Sequence, residues 1–202
     1  MNIPKPLAAL AVFVLASNTS PVSANPVTRV FKCAPNAGCA TTRIPDSNGT
    51  TDGVANFTIP VPAGDACPGT TSSYGVHVWL EHANAGDLRI AVVNPSSTSA
   101  NALDRAAATG YAAGSCAGDD VHAMLTDLGT SPVSCFATIP SLRGNLVASA
   151  PLSALGNTWQ PGDWHIQVQD QAAGGDGRTI DVALVILCGY DDAIFNDGFD
   201  LP

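Results

Sequence analysis

From Phe57 onward the chain alternates apolar and polar residues with a period of two. Phe57, Ile59 and Val61 alternate with Thr58 and Pro60. Val76, Val78 and Leu80 alternate with His77, Trp79 and Glu81, and Leu88, Ile90 and Val92 with Arg89 and Ala91. Trp164, Ile166 and Val168 alternate with His165, Gln167 and Gln169. Ile180, Val182, Leu184 and Ile186 make one face of a last strand. This period places one face of each strand on a core and the other toward solvent. Pro60 lacks the N–H that a ladder needs, so the first of these strands is expected at a sheet edge. Turn residues separate the runs at Asn84–Asp87, Asn94–Ser97, Gln160–Asp163 and Gly174–Gly177. Short strands with such punctuation predict an all-β sandwich or barrel. Residues 25–56 read as irregular, rich in Pro, Asn, Gly and Thr. Ala100–Ala113 is compatible with a helix, but Gly110 and the lack of an apolar stripe argue against a long one. No internal repeat is visible.

The first 24 residues have a different character. Lys5 is the single charge before Arg29, Leu7–Ala16 is apolar throughout, and Val22-Ser23-Ala24 closes the segment. That order matches a secretory signal peptide cut after Ala24. The apolar run is shorter than the roughly 20 residues a membrane helix needs. Cleavage would leave about 178 residues, enough for one domain with its own core. The formal net charge of −9 excludes the basic footprint of a nucleic-acid binder and disfavours anionic lipid. The expected location is secreted or extracytoplasmic, with no transmembrane segment.

Six cysteines in an exported chain predict disulfides. Fifteen connectivities are open; proximity favours Cys33–Cys39 and Cys116–Cys135, which leaves Cys67–Cys188. No C-x-x-C pair is present to seed a zinc site.

The ordered motifs resemble a known module. Arg43-Ile44-Pro45-Asp46 precedes a Gly-rich turn and Phe57–Val61. Val76-His77-Val78-Trp79-Leu80-Glu81-His82 leads to Gly86-Asp87-Leu88-Arg89-Ile90 and Asn94-Pro95. Cys116-Ala117-Gly118-Asp119-Asp120 opens an insertion running through Asp127. Pro151-Leu152-Ser153-Ala154-Leu155 precedes Gly162-Asp163-Trp164-His165-Ile166-Gln167-Val168-Gln169-Asp170, and Gly175-Asp176-Gly177 precedes the last strand. Together these resemble the P domain (P/Homo B domain) that follows the catalytic domain of kexin- and furin-type subtilisin-like proteases. His165-Ile166, Arg178-Thr179-Ile180 and Asp181–Leu184 depart from the family's usual residues. The resemblance implies a jelly-roll-like β-sandwich of about eight strands over residues 43–188. An irregular segment would precede it at 25–42, and a tail would follow at 189–202. The tail, Ile194-Phe195-Asn196-Asp197-Gly198-Phe199-Asp200 at its centre, resembles a short terminal tag of some exported bacterial proteins.

The resemblance also implies function: a non-catalytic accessory module for a subtilisin-like protease or other surface partner. No G-x-S-x-G elbow is present, and nothing resembles the surroundings of a subtilisin nucleophile. Asp46, Asp87, Asp119, Asp120, Asp170 and Asp176 fall in turns or at strand ends, where several oxygens could hold Ca²⁺. The alternative is that each caps its own turn. Asp87 and Asp170 sit at signature positions and are the favoured ligands, with Asp119 and Asp120 behind them. His82 is expected to be bonded to backbone or to Asp87; His77 and His165 are expected on exposed phases. Trp79 and Trp164 are expected in packing roles, while Trp159, in a loop, is the candidate ligand contact. A carbohydrate- or other ligand-binding jelly roll is the alternative function.

Overall fold

The computed structural model describes residues 27–33, 42–67, 71–106 and 114–188. The expected signal peptide, the tail and Cys39 lie outside the described residues, so the Cys33–Cys39 link does too. Among the described residues there are ten strands and no α-helix. One sheet runs β1 (Val27–Lys32), β10 (Gly177–Cys188), β4 (Thr71–Glu81), β7 (Val121–Thr126), β8 (Leu142–Val147), with β2 (Arg43–Ile44) also paired to β10. The other runs β3 (Gly53–Val61), β9 (Gly162–Asp170), β5 (Leu88–Val93), β6 (Ser99–Asp104). With β2 and β8 set aside, eight strands remain, and the chain crosses between the sheets at every connection except the β5–β6 hairpin. That is jelly-roll order. Pro60 lies on β3, an edge strand as its missing N–H requires.

Alternation sets the core. Rows of inward side chains cross the larger sheet as Leu184–Val76–Leu125–Leu146 and Val182–Val78–Ala123. Ile59–Trp164, Phe57–Ile166–Val92 and Ala55–Val168–Ile90 cross the smaller one. All are buried. Trp164 and Tyr74 meet between the layers with ring centroids 4.9 Å apart. Their polar tips are satisfied by one loop: Trp164 Nε1 donates to the Gln160 carbonyl and Tyr74 Oη to that of Thr158, both at 2.9 Å. Such an aromatic pair adds about 0.5–1.5 kcal/mol beyond its buried area.

Two expectations change. A bulge between Thr179 and Asp181 resets the phase of β10, so Thr179 is buried where Ile180 was expected. Residues 25–56 are less irregular than their composition implies, because β1, β2 and the start of β3 fall there; β1 is held along its whole length by β10. Cys116–Cys135, which proximity favoured, and Cys67–Cys188, the pair left over, are both formed. The first ties the segment after β3 to the end of β10. The second anchors the β7–β8 connection to the segment entering β7.

Candidate functional site

At one end of the sandwich a carboxylate is turned into the core. Asp170, last residue of β9, lies in register with Gly53 and Leu88 and therefore shares the inward phase of Trp164, Ile166 and Val168. A charge cannot be left alone there. His82, immediately after β4 on the opposite sheet, meets it: Nε2 is 3.2 Å from Asp170 Oδ2, with side-chain exposures of 1% and 0%. Asp170 Oδ1 accepts the Ala172 N–H at 3.1 Å. His82 Nδ1 faces the Asn84 peptide, 3.0 Å from its carbonyl oxygen and 3.2 Å from its N–H. The His82 N–H donates to Asp120 Oδ1 at 3.1 Å. The pair thus stitches the two sheets together. His82 was expected on backbone or Asp87; the backbone contact is present, but the carboxylate is Asp170.

Asp87 lies beside this pair, its carbonyl accepting the Gln171 N–H at 2.9 Å. Burial raises its carboxyl above the ordinary range, and the neighbouring Asp170 charge raises it further, against a bond from Asn84. Asp87, Asp120 and Asp170 therefore gather around His82. Asp119 lines an adjacent charged cleft of about 510 Å³ with Glu81, Asp176, Arg43 and Arg178. The arrangement does not fit a preformed calcium cage. Both Asp170 oxygens are committed, one to an imidazole, whereas calcium takes six to eight oxygens. Among the described residues no group of three or more His, Cys, Asp or Glu is placed to hold a metal ion. Asp46 and Asp127 instead serve turns: Asp46 accepts the Gly174 N–H, and Asp127 accepts those of Leu152 and Ser153 at 2.7 Å.

Nor does His82–Asp170 have the geometry of a nucleophile-activating pair. A triad imidazole offers one nitrogen to the acid and the other to a hydroxyl. Here the second nitrogen is spent on a peptide unit, and the ring is sealed. His165 is half-buried rather than exposed, and its Nδ1 lies 3.2 Å from Thr58 Oγ1.

The other notable surface is the outer face of the larger sheet. The register sets Val185 beside Gly75 and Gly75 beside Thr126, while Ala183, His77 and Met124 form the next row. Gly75 presents no side chain, and a Cβ there would meet Met124 Sδ at 3.0 Å. The gap is the floor of an apolar groove of about 720 Å³, with Val185, Leu187 and Met124 below and Leu128, Phe136 and Pro140 of the β7–β8 connection as a wall. His77, His122 and Arg143 line it as well. His77 was expected to be exposed, but its side chain is only 15% exposed. Burial is the main reason its pKa is lowered; Asp181 pulls upward, while His122 and Lys32 push down. Trp79, 44% exposed, stacks on His122 with centroids 5.1 Å apart. Trp159 is half-buried, edge-on to Phe31 at 5.8 Å, and packs against the core. The sequence reading missed the groove, although its signal is in Val182–Cys188, where both phases of the strand are apolar.

The class defined by this geometry is a disulfide-tied jelly-roll sandwich with one sealed buried polar pair and one open apolar groove. No family model matches the chain, and no curated protein matches it either. Among solved structures, the serine protease of Aeromonas sobria is similar at 15% identity and a TM-score of 0.40, over 86% of this chain and 29% of that one. The complex of that protease with the chaperone gives 12% and 0.39, over 82% and 27%. The Gt strain structure of infectious bursal disease virus gives 10% and 0.32, over 93% and 38%. The chain spans less than a third of the length of the protease chains it matches. Among the described residues no helix is long and apolar enough to cross a membrane.

Proposed function

We propose that this chain is a non-catalytic exported accessory module of the P/Homo B type, whose work is to dock a subtilisin-like serine protease on the outer face of its larger sheet. The observation that carries the reading is the groove floored by Val185, Leu187, Met124 and Gly75. A sheet face that departs from the polar alternation of a solvated surface marks a contact surface. The ordered motifs from Arg43 to Gly177 supply the partner class, and the sealed His82 supports docking over bond cleavage at that pair. Fluorophosphonate labelling of the exported fraction, after capture on the immobilised chain, tests this. A labelled protease retained by the native chain and lost with Met124→Asp is expected. Labelling of the chain itself, or equal capture by the variant, overturns the reading.

A second reading rests on Trp79. Its exposed ring, stacked on His122, is the flat aromatic surface on which a sugar ring packs. Affinity electrophoresis in polysaccharide gels, with Trp79→Ala as control, checks it; unretarded migration in every gel removes it.

A further inference from the structure

We infer that the outer face of the larger sheet carries a Cu(I) site, in which His77 and His122 supply imidazole nitrogens and Met124 a thioether sulfur. The inference goes beyond protease docking and stands or falls separately from it.

The pleat brings the three side chains together. His77 and Met124 are opposed across β4 and β7, and Trp79 opposes His122 one row along, so the two imidazoles lie on a diagonal of one face. Their ring centroids are 5.5 Å apart, with the planes at 74°. A metal about 2.0 Å from an imidazole nitrogen stands about 3.1 Å from that ring's centre, so two rings sharing one ion have centres about 5–6 Å apart. The spacing in this sheet is that of a ligating pair. Directly opposed residues have Cβ atoms about 4.5–5.5 Å apart, and a thioether on three rotatable bonds spans that gap to His77. Gly75 keeps the way clear, since a Cβ there would meet Met124 Sδ at 3.0 Å. All three side chains line the groove.

The surroundings suit a metal ion. His77 Nδ1 faces Asp181 Oδ2 at 3.7 Å, and that carboxylate is itself fixed by Lys32 Nζ at 2.7 Å. A carboxylate behind one ring nitrogen leaves Nε2 to the metal and orients the ring for it. His122 is steadied by the Trp79 ring, nearly parallel at 20°. Arg143, in register with His122 on β8, is the charge that would repel an ion; its guanidinium lies over the Phe136 ring at 4.6 Å and donates to Thr138 Oγ1. The net charge of −9 draws cations to the chain as a whole. The donor set decides which metal. Imidazoles alone suit zinc or copper, whereas a thioether selects Cu(I), and among the described residues no free cysteine competes for it.

Met124 is the single methionine besides Met1, so its methyl reports on the site. Cu(I), kept reduced with ascorbate under nitrogen, is titrated into the full chain against bicinchoninate, and methyl-¹³C-methionine spectra are recorded alongside. The chain should take a single equivalent from the chelator, and the Met124 methyl should shift. His77→Gln or His122→Gln should weaken binding by more than about 100-fold and Asp181→Asn by about 10-fold. His165→Gln, on the smaller sheet, should leave it unchanged. Met124→Leu should weaken Cu(I) at least about 10-fold without altering Zn(II) binding. The substituted side chains lie on the outer face, so folded variants are expected, checked by dispersed amide spectra. No copper withdrawn from the chelator, a Met124 methyl unmoved at saturation, or native affinity in His77→Gln overturns the proposal. Zn(II) held as tightly as Cu(I), in the native chain and Met124→Leu alike, overturns it too, because the sulfur would then be a bystander. No protease enters the measurement, so copper binding can fail here while protease capture succeeds, and the reverse.

Discussion

Removing the His82 imidazole should damage this fold more than any other single polar substitution at its end. The ring stands between two sheets and supplies one of the two hydrogen-bond partners seen on Asp170, the other being the Ala172 N–H. His82→Ala leaves a carboxylate in the core with that N–H alone. Breaking a buried pair on one side costs about 3–5 kcal/mol. For a domain of this size that is roughly 6–20 °C in melting temperature, at about 2–4 °C per kcal/mol. Asp170→Asn should be far milder, near 1 kcal/mol, the scale of one net hydrogen bond. Its amide oxygen still accepts from Ala172, and its NH₂ can donate to Nε2 once the imidazole proton moves to Nδ1. There the Asn84 carbonyl, 3.0 Å away, receives it. The double variant His82→Ala/Asp170→Asn removes the stranded charge and should recover about 1–3 kcal/mol of the single loss. Urea denaturation of the oxidised protein gives each value from midpoint and slope. A His82→Ala cost under about 1 kcal/mol, or strict additivity in the double variant, refutes the account of Asp170 as a carboxylate held by its imidazole.

The remaining predictions concern other groups. Cys67→Ser/Cys188→Ser, which opens a link of sequence separation 121, should lower stability by about 4–5 kcal/mol, against about 3 for Cys116→Ser/Cys135→Ser with separation 19; urea midpoints measured side by side check the order. Asp87→Asn should raise the melting temperature at pH 7. A carboxyl whose folded pKa is raised carries a penalty above that pKa and none below its unfolded value, so the gain should fade as pH falls toward 4. His77 behaves in the opposite sense: its folded pKa is lowered, so the unfolded chain binds more protons near pH 6. Stability is full above 6.5 and declines as pH falls toward the folded value, and His77→Gln should flatten that decline in urea midpoints followed across pH.

The strands legible in the sequence are those whose inward positions are large. Phe57 and Ile59, Val76 and Leu80, Ile90 and Val92, Trp164 and Ile166 mark a period of two without ambiguity. The unread strands β6 and β7 use small residues at the same positions, Ala100 and Ala102 in the one and Ala123 in the other, and β8 sets an exposed Gly144 between its buried Leu142 and Leu146. Alanine buries too little apolar surface to mark a phase against its polar neighbours. The bulge at Ile180 defeated the reading for a different cause, because one extra residue flips every side chain that precedes it. Asp170 was singled out from its motif, but its partner could not be. Which residue faces it depends on the end of β4 meeting the end of β9 across the sandwich, a property of two sheets rather than of either segment. The groove carries no polar motif, and its one mark in the sequence is the apolar run from Val182 to Cys188.

The position of β10 has a consequence for biogenesis. It lies between β1 and β4 and also holds β2, yet it follows all of them in the chain by more than ninety residues. During synthesis the early strands emerge without the one that joins them, and Cys67 waits for a thiol 121 positions downstream. The larger sheet therefore cannot close on a partial polypeptide, and its assembly is deferred until the last strand has left the ribosome.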